Sequence, residues 1–487
     1  MSAPPGGRAA PRRPAEPPRE PPAELPVALT PGVRVLSQGR VLLGHGSPAR
    51  LMLLTEAGAR AVDGWRRCAP VGAGAPRGRL ARRLLDAGIL TPHPRPAAST
   101  AQLTVVVPVR DRPAQLTRCL DAIRAACPES PVIVVDDGSI AAEAVAEVCA
   151  AGGVRVIQRR GCGGPAAARN DGLAVCTTPF VAFVDSDVVL GAGVAHRLLG
   201  HLADPALGAV APRVRALEPS AGIIGGYERR HSALDMGATG GLVAPGTARA
   251  YVPSTVLFVR RDAVGAGFDP SLRAGEDVDL VWRLCAAGWR VRYAAEVDVH
   301  HEHRAGLRAF VGVRRRYARS VGTLARRHPA ALPAMWVSPA VAVPWALTLA
   351  GRPRAALMAA GWATARRGER LRRFPGRPYG LAAATMARGL TGTGSALARA
   401  ARRPWAPPLL LLAARDRRVA WALAVAFAAP LVQDALATRD PRAVAGDVPL
   451  RLLEELVAAS ATWEGCLRAR TVRPLLPSWR PVGAVAA

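Results

Sequence analysis

Phe180-Val181-Ala182-Phe183-Val184-Asp185-Ser186-Asp187 is a run of five apolar residues that delivers two carboxylates. An unbroken Phe/Val run of this length reads as a strand buried on both faces, the kind that forms parallel α/β sheets. Side chains two apart on extended backbone point the same way, so Asp185 and Asp187 meet one ligand together. Carboxylates this close to a core are costly to desolvate, so they point to a bound cation or a moved proton. The spacing suits a Mn²⁺ or Mg²⁺ that bridges a diphosphate.

Outward from this run, residues 101–300 alternate apolar runs with helical stretches, which predicts an α/β sheet. The runs are Leu103–Val109, Val132–Val135, Val154–Ile157, Phe180–Val184 and Val256–Val259, with helices expected at Pro113–Ala126 and Ala141–Ala150. Ligands of such sheets lie beyond the carboxyl ends of the strands, where the polar motifs of this chain also fall. Pro108, Asp111 and a helix start at Pro113 follow the first strand. Asp136-Asp137-Gly138-Ser139 follows the second, offering a carboxylate to a uracil N–H or a ribose hydroxyl. Gly161 to Gly164 then precede a small-residue helix from which Arg169 would project toward a phosphate. A second acidic cluster, Gly275-Glu276-Asp277-Val278-Asp279, comes about ninety residues after the first. Glu276 and Asp279 there read either as orienting groups or as caps of the helix that follows. Last come His300, His301 and His303; alternation along a strand favours His301 as a metal ligand, and a solvated run is the plain alternative.

VVVPVRDR, VVDDGS, GPAAARND, FVDSD and GFDPSLRAGEDVDLVWRLCAAGWRVRY, in that order over residues 101–305, resemble the successive signatures of the family 2 inverting glycosyltransferases. The resemblance implies a GT-A fold, a Rossmann-like mixed sheet that binds a nucleotide-sugar. It assigns nucleotide binding to Asp111 and Asp137, the metal to Asp187 with Asp185, and the general base to Asp277, and it implies a His such as His301 that ligates the metal or contacts the diphosphate; Pro108, Arg169 and Asp185 are read as donor-binding from their own positions. It implies a single displacement in which Asp277 takes the acceptor's proton and the metal and Arg169 stabilise the leaving nucleoside diphosphate. Arg314-Arg315-Arg316-Tyr317 stands where processive members carry a Gln/Arg-x-x-Arg-Trp motif and does not match it, so a discrete acceptor is expected.

The flanks predict three further parts. Residues 1–25, rich in Pro, Arg and Glu, read as a disordered tail without a secretory signal. Residues 26–98 carry a hairpin around Ser37-Gln38-Gly39, helices at Thr55–Trp65 and Arg77–Leu85, and a closing Ile89-Leu90. This outlines a small winged-helix-like module, similar to the peptide-recognition domains of pathways that modify ribosomal peptides. A domain that only packs is the other reading. Beyond a transferase domain at 101–329, residues 330–487 form an apolar helical region in which Val419 to Ala437 approaches the length of a bilayer span. Membrane association is expected, with the catalytic domain on the cytoplasmic face; a buried helical domain is the alternative.

Of the 65 basic residues every one is Arg, and the formal charge is +29. An all-Arg bias with abundant Ala, Gly and Pro reflects a compositional background, and no nucleic-acid partner is expected. Eight scattered cysteines without zinc spacing read as free thiols of a reducing compartment. LTPGVRVLSQGRVLLGHGSPARLMLLTEAGA, the transferase motifs and WEGCLRARTVRPLLP together resemble the glycosyltransferases of mycofactocin biosynthesis. That resemblance implies UDP-glucose, or another nucleotide-sugar, as donor and a small peptide-derived redox cofactor as acceptor. A lipid or cell-wall acceptor, and more remotely a non-enzymatic nucleic-acid binder, are the competing readings.

Overall fold

The computed structural model describes residues 20–479 except 38, 45–49, 219–221, 304–305, 373, 375 and 439–440. The first apolar runs build the N-terminal module: β1 (Pro26–Leu29), β2 (Arg34–Leu36), β3 (Val41–Leu43), β4 (Leu51–Leu53), α1 (Glu56–Trp65), β5 (Ala69–Pro70), α2 (Ala75–Asp86) and β6 (Leu90–Pro92). Thr55 starts α1 as its N-cap, accepting from Gly58 N–H at 3.1 Å. Val27, Trp65, Leu84 and Ile89 fill its core. The boundary expected at Pro26 is corrected, because Leu25 is 5% exposed in that core and its carbonyl accepts from Val71 N–H at 2.9 Å. Residues 1–19 of the expected tail lie outside the described residues, as does part of the hairpin turn, Gln38.

The transferase domain is ordered as β7 (Leu103–Val109), α3 (Pro113–Ala126), β8 (Val132–Asp136), α4 (Ala142–Ala151), β9 (Arg155–Gln158), α5 (Pro165–Ala174), β10 (Phe180–Val184), β11 (Val188–Leu190), α6 (Val194–His201), β12 (Leu207–Ala216), α7 (Gly222–His231), β13 (Gly241–Val243), β14 (Val256–Arg260), α8 (Arg261–Val264), α9 (Glu276–Ala286), β15 (Arg290–His301) and α10 (Leu307–Arg327). The sheet runs β11-β15-β12-β14-β10-β7-β8-β9, with β13 also on β15. β10, β7, β8 and β9 are mutually parallel, while β14 is antiparallel to both β10 and β12. This is the GT-A arrangement, a parallel half joined to a mixed half. Phe183 lies edge-on to Phe268 with centroids 5.0 Å apart, packing the strand that carries Asp185 onto the loop before α9.

Two long strands escape a reading by runs. β12 contains Pro212, where its register against β15 shifts; the bulge accommodates the missing N–H. β15 carries charged residues at both ends of its apolar centre.

The C-terminal region is β16 (Trp336–Val337), α11 (Pro339–Leu349), α12 (Pro353–Leu371), α13 (Pro378–Arg402), α14 (Ala406–Ala413), α15 (Arg417–Thr438), α16 (Pro441–Arg468) and β17 (Ser478–Trp479). It does not part from the transferase domain at 329. Gly322 of α10 and Gly465 of α16 leave no room for a Cβ on either side, so the two helices meet backbone to backbone. Glu464 receives Arg315 at 3.0 Å and Arg319 at 3.4 Å across the same seam. By contrast Leu357, Met358 and Trp362 of α12 and Trp421, Val425 and Leu436 of α15 are exposed. Among the described residues one helix, Arg417–Leu436, is long and apolar enough to cross a membrane by length and composition.

A Cβ at Gly172 of α5 would run into Val106 and Val135 of the sheet beneath. Gly172→Ala is therefore expected to destabilise the protein by about 1–3 kcal/mol through overpacking. Urea unfolding measures this, and an unchanged midpoint would mean that α5 has room to move.

Candidate active site

The ends of β7, β8, β10 and β15 and the N-terminus of α9 converge on one edge of the sheet, as strand order in an open α/β sheet requires. Pro108 lies beyond Val106, the last residue of β7 paired with β10, so its missing N–H interrupts no ladder there. Asp111 adopts φ 54°, a left-handed conformation strained for a residue with a Cβ. Its carboxylate accepts from Ile140 N–H at 2.6 Å and its own N–H donates to Ser139 Oγ at 2.9 Å, tying the β7 loop to the β8 loop.

Asp137, expected to receive a base or a ribose hydroxyl, is engaged by donors of the protein. It is buried, accepting from Gly163 N–H at 2.8 Å, Gly164 N–H at 2.7 Å and the Arg159 guanidinium. Burial opposes its ionisation, but these donors outweigh it and hold the carboxyl below its ordinary range. Its work is to clamp the glycine loop against β8.

Arg169, expected to project toward a phosphate, is 3% exposed and engaged inside the fold: Nη2 donates to Asp185 at 2.6 Å and Nη1 to Glu276 at 3.0 Å, with its guanidinium 5.3 Å from the Phe268 ring centre. The two acidic clusters, far apart in the chain, are thus joined through one buried cation. Despite burial, Asp185 and Glu276 hold its pKa above the ordinary arginine value.

Asp187 is held by Arg112 and by His301, whose Nε2 lies 3.3 Å from Oδ1. Burial works against the Asp187 anion, yet the His301 hydrogen bond and charge, with Arg112, bring it down to about 2. Asp185 moves the other way, raised by burial and by the neighbouring Asp187 charge against the pull of Arg169. Burial would lower His301, and its hydrogen bond to Asp187 raises it instead. The expected choice of His301 over His300 places the right ring beside Asp187; Nδ1 of His301 is buried without a partner.

These groups fit a divalent cation. Carboxylate and imidazole donors stand side by side at Asp187 and His301, with Asp185 adjoining. Among the described residues no cluster of three or more His, Cys, Asp or Glu side chains closes around a metal by itself. Such an incomplete donor set suits Mn²⁺ or Mg²⁺, which take their remaining oxygens from substrate phosphates and water.

Asp277 sits at the second position of α9. Its carboxylate accepts from Val278 N–H at 2.8 Å and Ser254 N–H at 3.3 Å, without a direct ion pair among the described residues. Burial, then the charge of Glu276, pushes it up to about 7. Asp279, in the same cluster, is a tie and not a site group: it receives His328 at 2.9 Å and Arg283 at 2.8 Å, fastening α9 to the end of α10. Sequence reasoning missed Arg112, whose signal was its place two residues after Arg110 in the first loop. It also missed Tyr251 and Tyr317, which share the electrostatic surroundings of Asp277; burial and then that carboxylate's charge raise both hydroxyls.

Residues 104–262 match the family model Glycosyl transferase family 2. Pre-mycofactocin glycosyltransferases of Mycobacterium tuberculosis, from strains CDC 1551 / Oshkosh and ATCC 25618 / H37Rv, are each 36% identical over 460 residues, covering 92% of this chain and 96% of theirs. The chain belongs to the family 2 glycosyltransferases. Among solved structures, the transferase shares 20% identity and a TM-score of 0.37 with the mannosyltransferase PcManGT from Pyrobaculum calidifontis in complex with GDP-Man and Mn²⁺, over 63% of this chain and 89% of that one. S. aureus TarS 1-349 in complex with UDP-GlcNAc shares 17% identity and a TM-score of 0.33, over 45% and 66%. The assignment rests on the full-length relatives.

A carboxyl raised from 3.8 to about 7 makes the folded transferase lose stability as pH rises between those values, because the unfolded chain ionises first. Asp277→Asn removes that penalty. It is expected to melt above the wild type at pH 8, with the gap closing toward pH 4 in thermal unfolding. A gap independent of pH would show that Asp277 has an ordinary pKa.

Proposed function

We propose that this transferase moves a hexose with inversion, from UDP-glucose or another nucleotide-sugar, onto a hydroxyl of a small peptide-derived redox cofactor in mycofactocin biosynthesis. The observation that carries the chemistry is Asp277, a carboxyl poised near neutrality at a helix N-terminus and linked through Glu276 and Arg169 to Asp185. The observation that carries the acceptor is the near full-length similarity to pre-mycofactocin glycosyltransferases.

Asp277 acts as the general base. Its backbone donors, Ser254 and Val278 N–H, orient the carboxylate so that one acceptor hydroxyl proton is taken as that oxygen attacks the anomeric carbon. Burial, and then the charge of Glu276 beside it, keep Asp277 basic. Asp187 and His301, with Asp185, would hold a Mn²⁺ or Mg²⁺, which would supply positive charge to a leaving diphosphate. Asp111 and Pro108 shape the loop beside the nucleotide. The exposed apolar faces of α12 and α15 support association with the cytoplasmic face of a membrane. The same faces favour a second reading, transfer to a lipid or cell-wall acceptor.

Mass spectrometry of products from labelled UDP-glucose tests both readings. Hexose increments on a polar redox cofactor are expected; label confined to organic-soluble lipid would overturn the first reading in favour of the second. Asp277→Asn is expected to bind donor normally but to lose about 10²–10⁴-fold in turnover. The wild-type rate should rise with pH through about 7, as the base ionises, and then level off. Chelation with EDTA should abolish UDP release and Mn²⁺ restore it; a rate indifferent to both would exclude the metal.

A further inference from the structure

Helix α15 has a proline in its body, and another helix repairs the gap it leaves. Pro430 has no N–H for the carbonyl of Ala426, one turn back, and Arg402 of α13 donates to that oxygen from Nη1 at 2.6 Å. The same guanidinium donates from Nε to Glu455 of α16 at 3.3 Å. One turn beyond the proline, Asp434 is paired with Arg451 of α16. Leu423 and Ala426 are buried on this side of the helix. One face of α15 is thus tied to α13 and α16 by charged groups, and α16 is itself fastened to α10. If α15 crossed a bilayer, it would draw Arg402, Arg451 and Glu455 in with it, which hydrocarbon strongly disfavours.

The opposite face has another character. Trp421, Val425, Val432 and Leu436 are spaced by four, seven and four residues, which sets them in one stripe about 60° wide at 100° per residue. All four are exposed, Trp421 at 70% and Leu436 at 75%. Leu411 and Leu412 of α14, which packs against α15, are exposed as well. A soluble surface has no use for so many outward apolar side chains on one pair of helices.

Cations stand at the head of this stripe. The turn from α14 into α15 reads Arg415-Asp416-Arg417-Arg418, and all four residues are exposed. Its one carboxylate accepts from Arg418 N–H at 2.7 Å, and none of the three guanidiniums has an ion pair with a described residue. Arg418, three residues before Trp421, falls on the stripe itself. Apolar side chains along a helix with free cations beside them match a bilayer surface, acyl chains below and phosphates above. A second copy of the same face would bring like charges together, so it is the poorer match.

We propose that α14 and α15 dock the protein on an anionic phospholipid surface, with α15 lying along the bilayer, its stripe from Trp421 to Leu436 among the acyl chains and Arg415, Arg417 and Arg418 on lipid phosphates. The proposal rests on the membrane association put forward above and adds its geometry and its lipid: α15 lies in one leaflet and does not cross, and the lipid carries negative charge.

Co-sedimentation of the full-length protein with preformed vesicles tests this. Vesicles of phosphatidylcholine with about one third phosphatidylglycerol are expected to bind it reversibly, with release at high salt, and phosphatidylcholine alone to bind about a hundredfold more weakly. Combining Arg415→Gln, Arg417→Gln and Arg418→Gln should remove most of that difference, at roughly fivefold per arginine. Trp421→Ser with Val425→Ser should weaken binding to both kinds of vesicle about tenfold or more. UDP release and the melting curve without vesicles should be unchanged in these variants, so docking is read apart from transfer. Protein that stays with cell membranes through high salt and is freed only by detergent would keep the membrane association but overturn the in-plane docking. Equal binding to neutral and anionic vesicles, or a difference that survives the three arginine substitutions, would overturn the phosphate contacts. Binding to neither vesicle would overturn the proposal outright, and a fall in the light-scattering mass of lipid-free protein on Trp421→Ser with Val425→Ser would then assign the face to a second copy.

Discussion

The active site hangs on the guanidinium of Arg169. Asp185 and Glu276 each reach it within 3.0 Å, and Phe268 packs beneath it. A single unpaired anion at either place would be expensive in this interior, and a cation bridging both makes the arrangement tolerable. The bridge also sets the relative position of β10 and α9, and thus of Asp185 and Asp187 against Asp277. Burial raises the Asp277 pKa first, and the charge of the neighbouring Glu276 raises it further. The contact that fixes the geometry thus also bears on the proton affinity.

Arginine does similar work elsewhere. Arg213 holds Asp235 through two bonds of 2.8 Å, Arg230 grips Asp447 of α16, and Arg82 and Arg290 dock the N-terminal module. Its planar fork suits such bidentate links between distant segments. A chain with a formal charge of +29 thus places many of its cations inside the fold as fasteners, a use distinct from a basic surface for nucleic acid. The C-terminal helices divide in the same way: α16 is fastened to α10 and α7, whereas α12 and α15 present apolar side chains outward.

Much of the fold was legible. Leu103–Val109 and Phe180–Val184 are strands over the full runs that announced them, because buried parallel strands need continuous apolar sequence. Thr55 marked its helix through cap chemistry that is local in sequence. β12 was not legible: its strand is interrupted by Pro212 and exists through pairing with β14 and β15, which lie far along the chain. The module boundary failed for a related reason, since Leu25 looks like the end of a polar tail until Val71 and the module core are placed beside it.

The sequence by itself determined the family and which residues are candidates for its chemistry: carboxylates at strand ends and a helix start, in an order that one class of transferase uses. It could do so because strand periodicity and turn residues act over a few positions. Only the tertiary structure decided what those residues touch. Asp137 and Arg169, read as hands held out to a nucleotide, turn inward to clamp a glycine loop and to bridge Asp185 with Glu276. The reason is electrostatic: a buried charge takes the nearest partner of opposite sign, and that partner is fixed by folding, not by position in the chain.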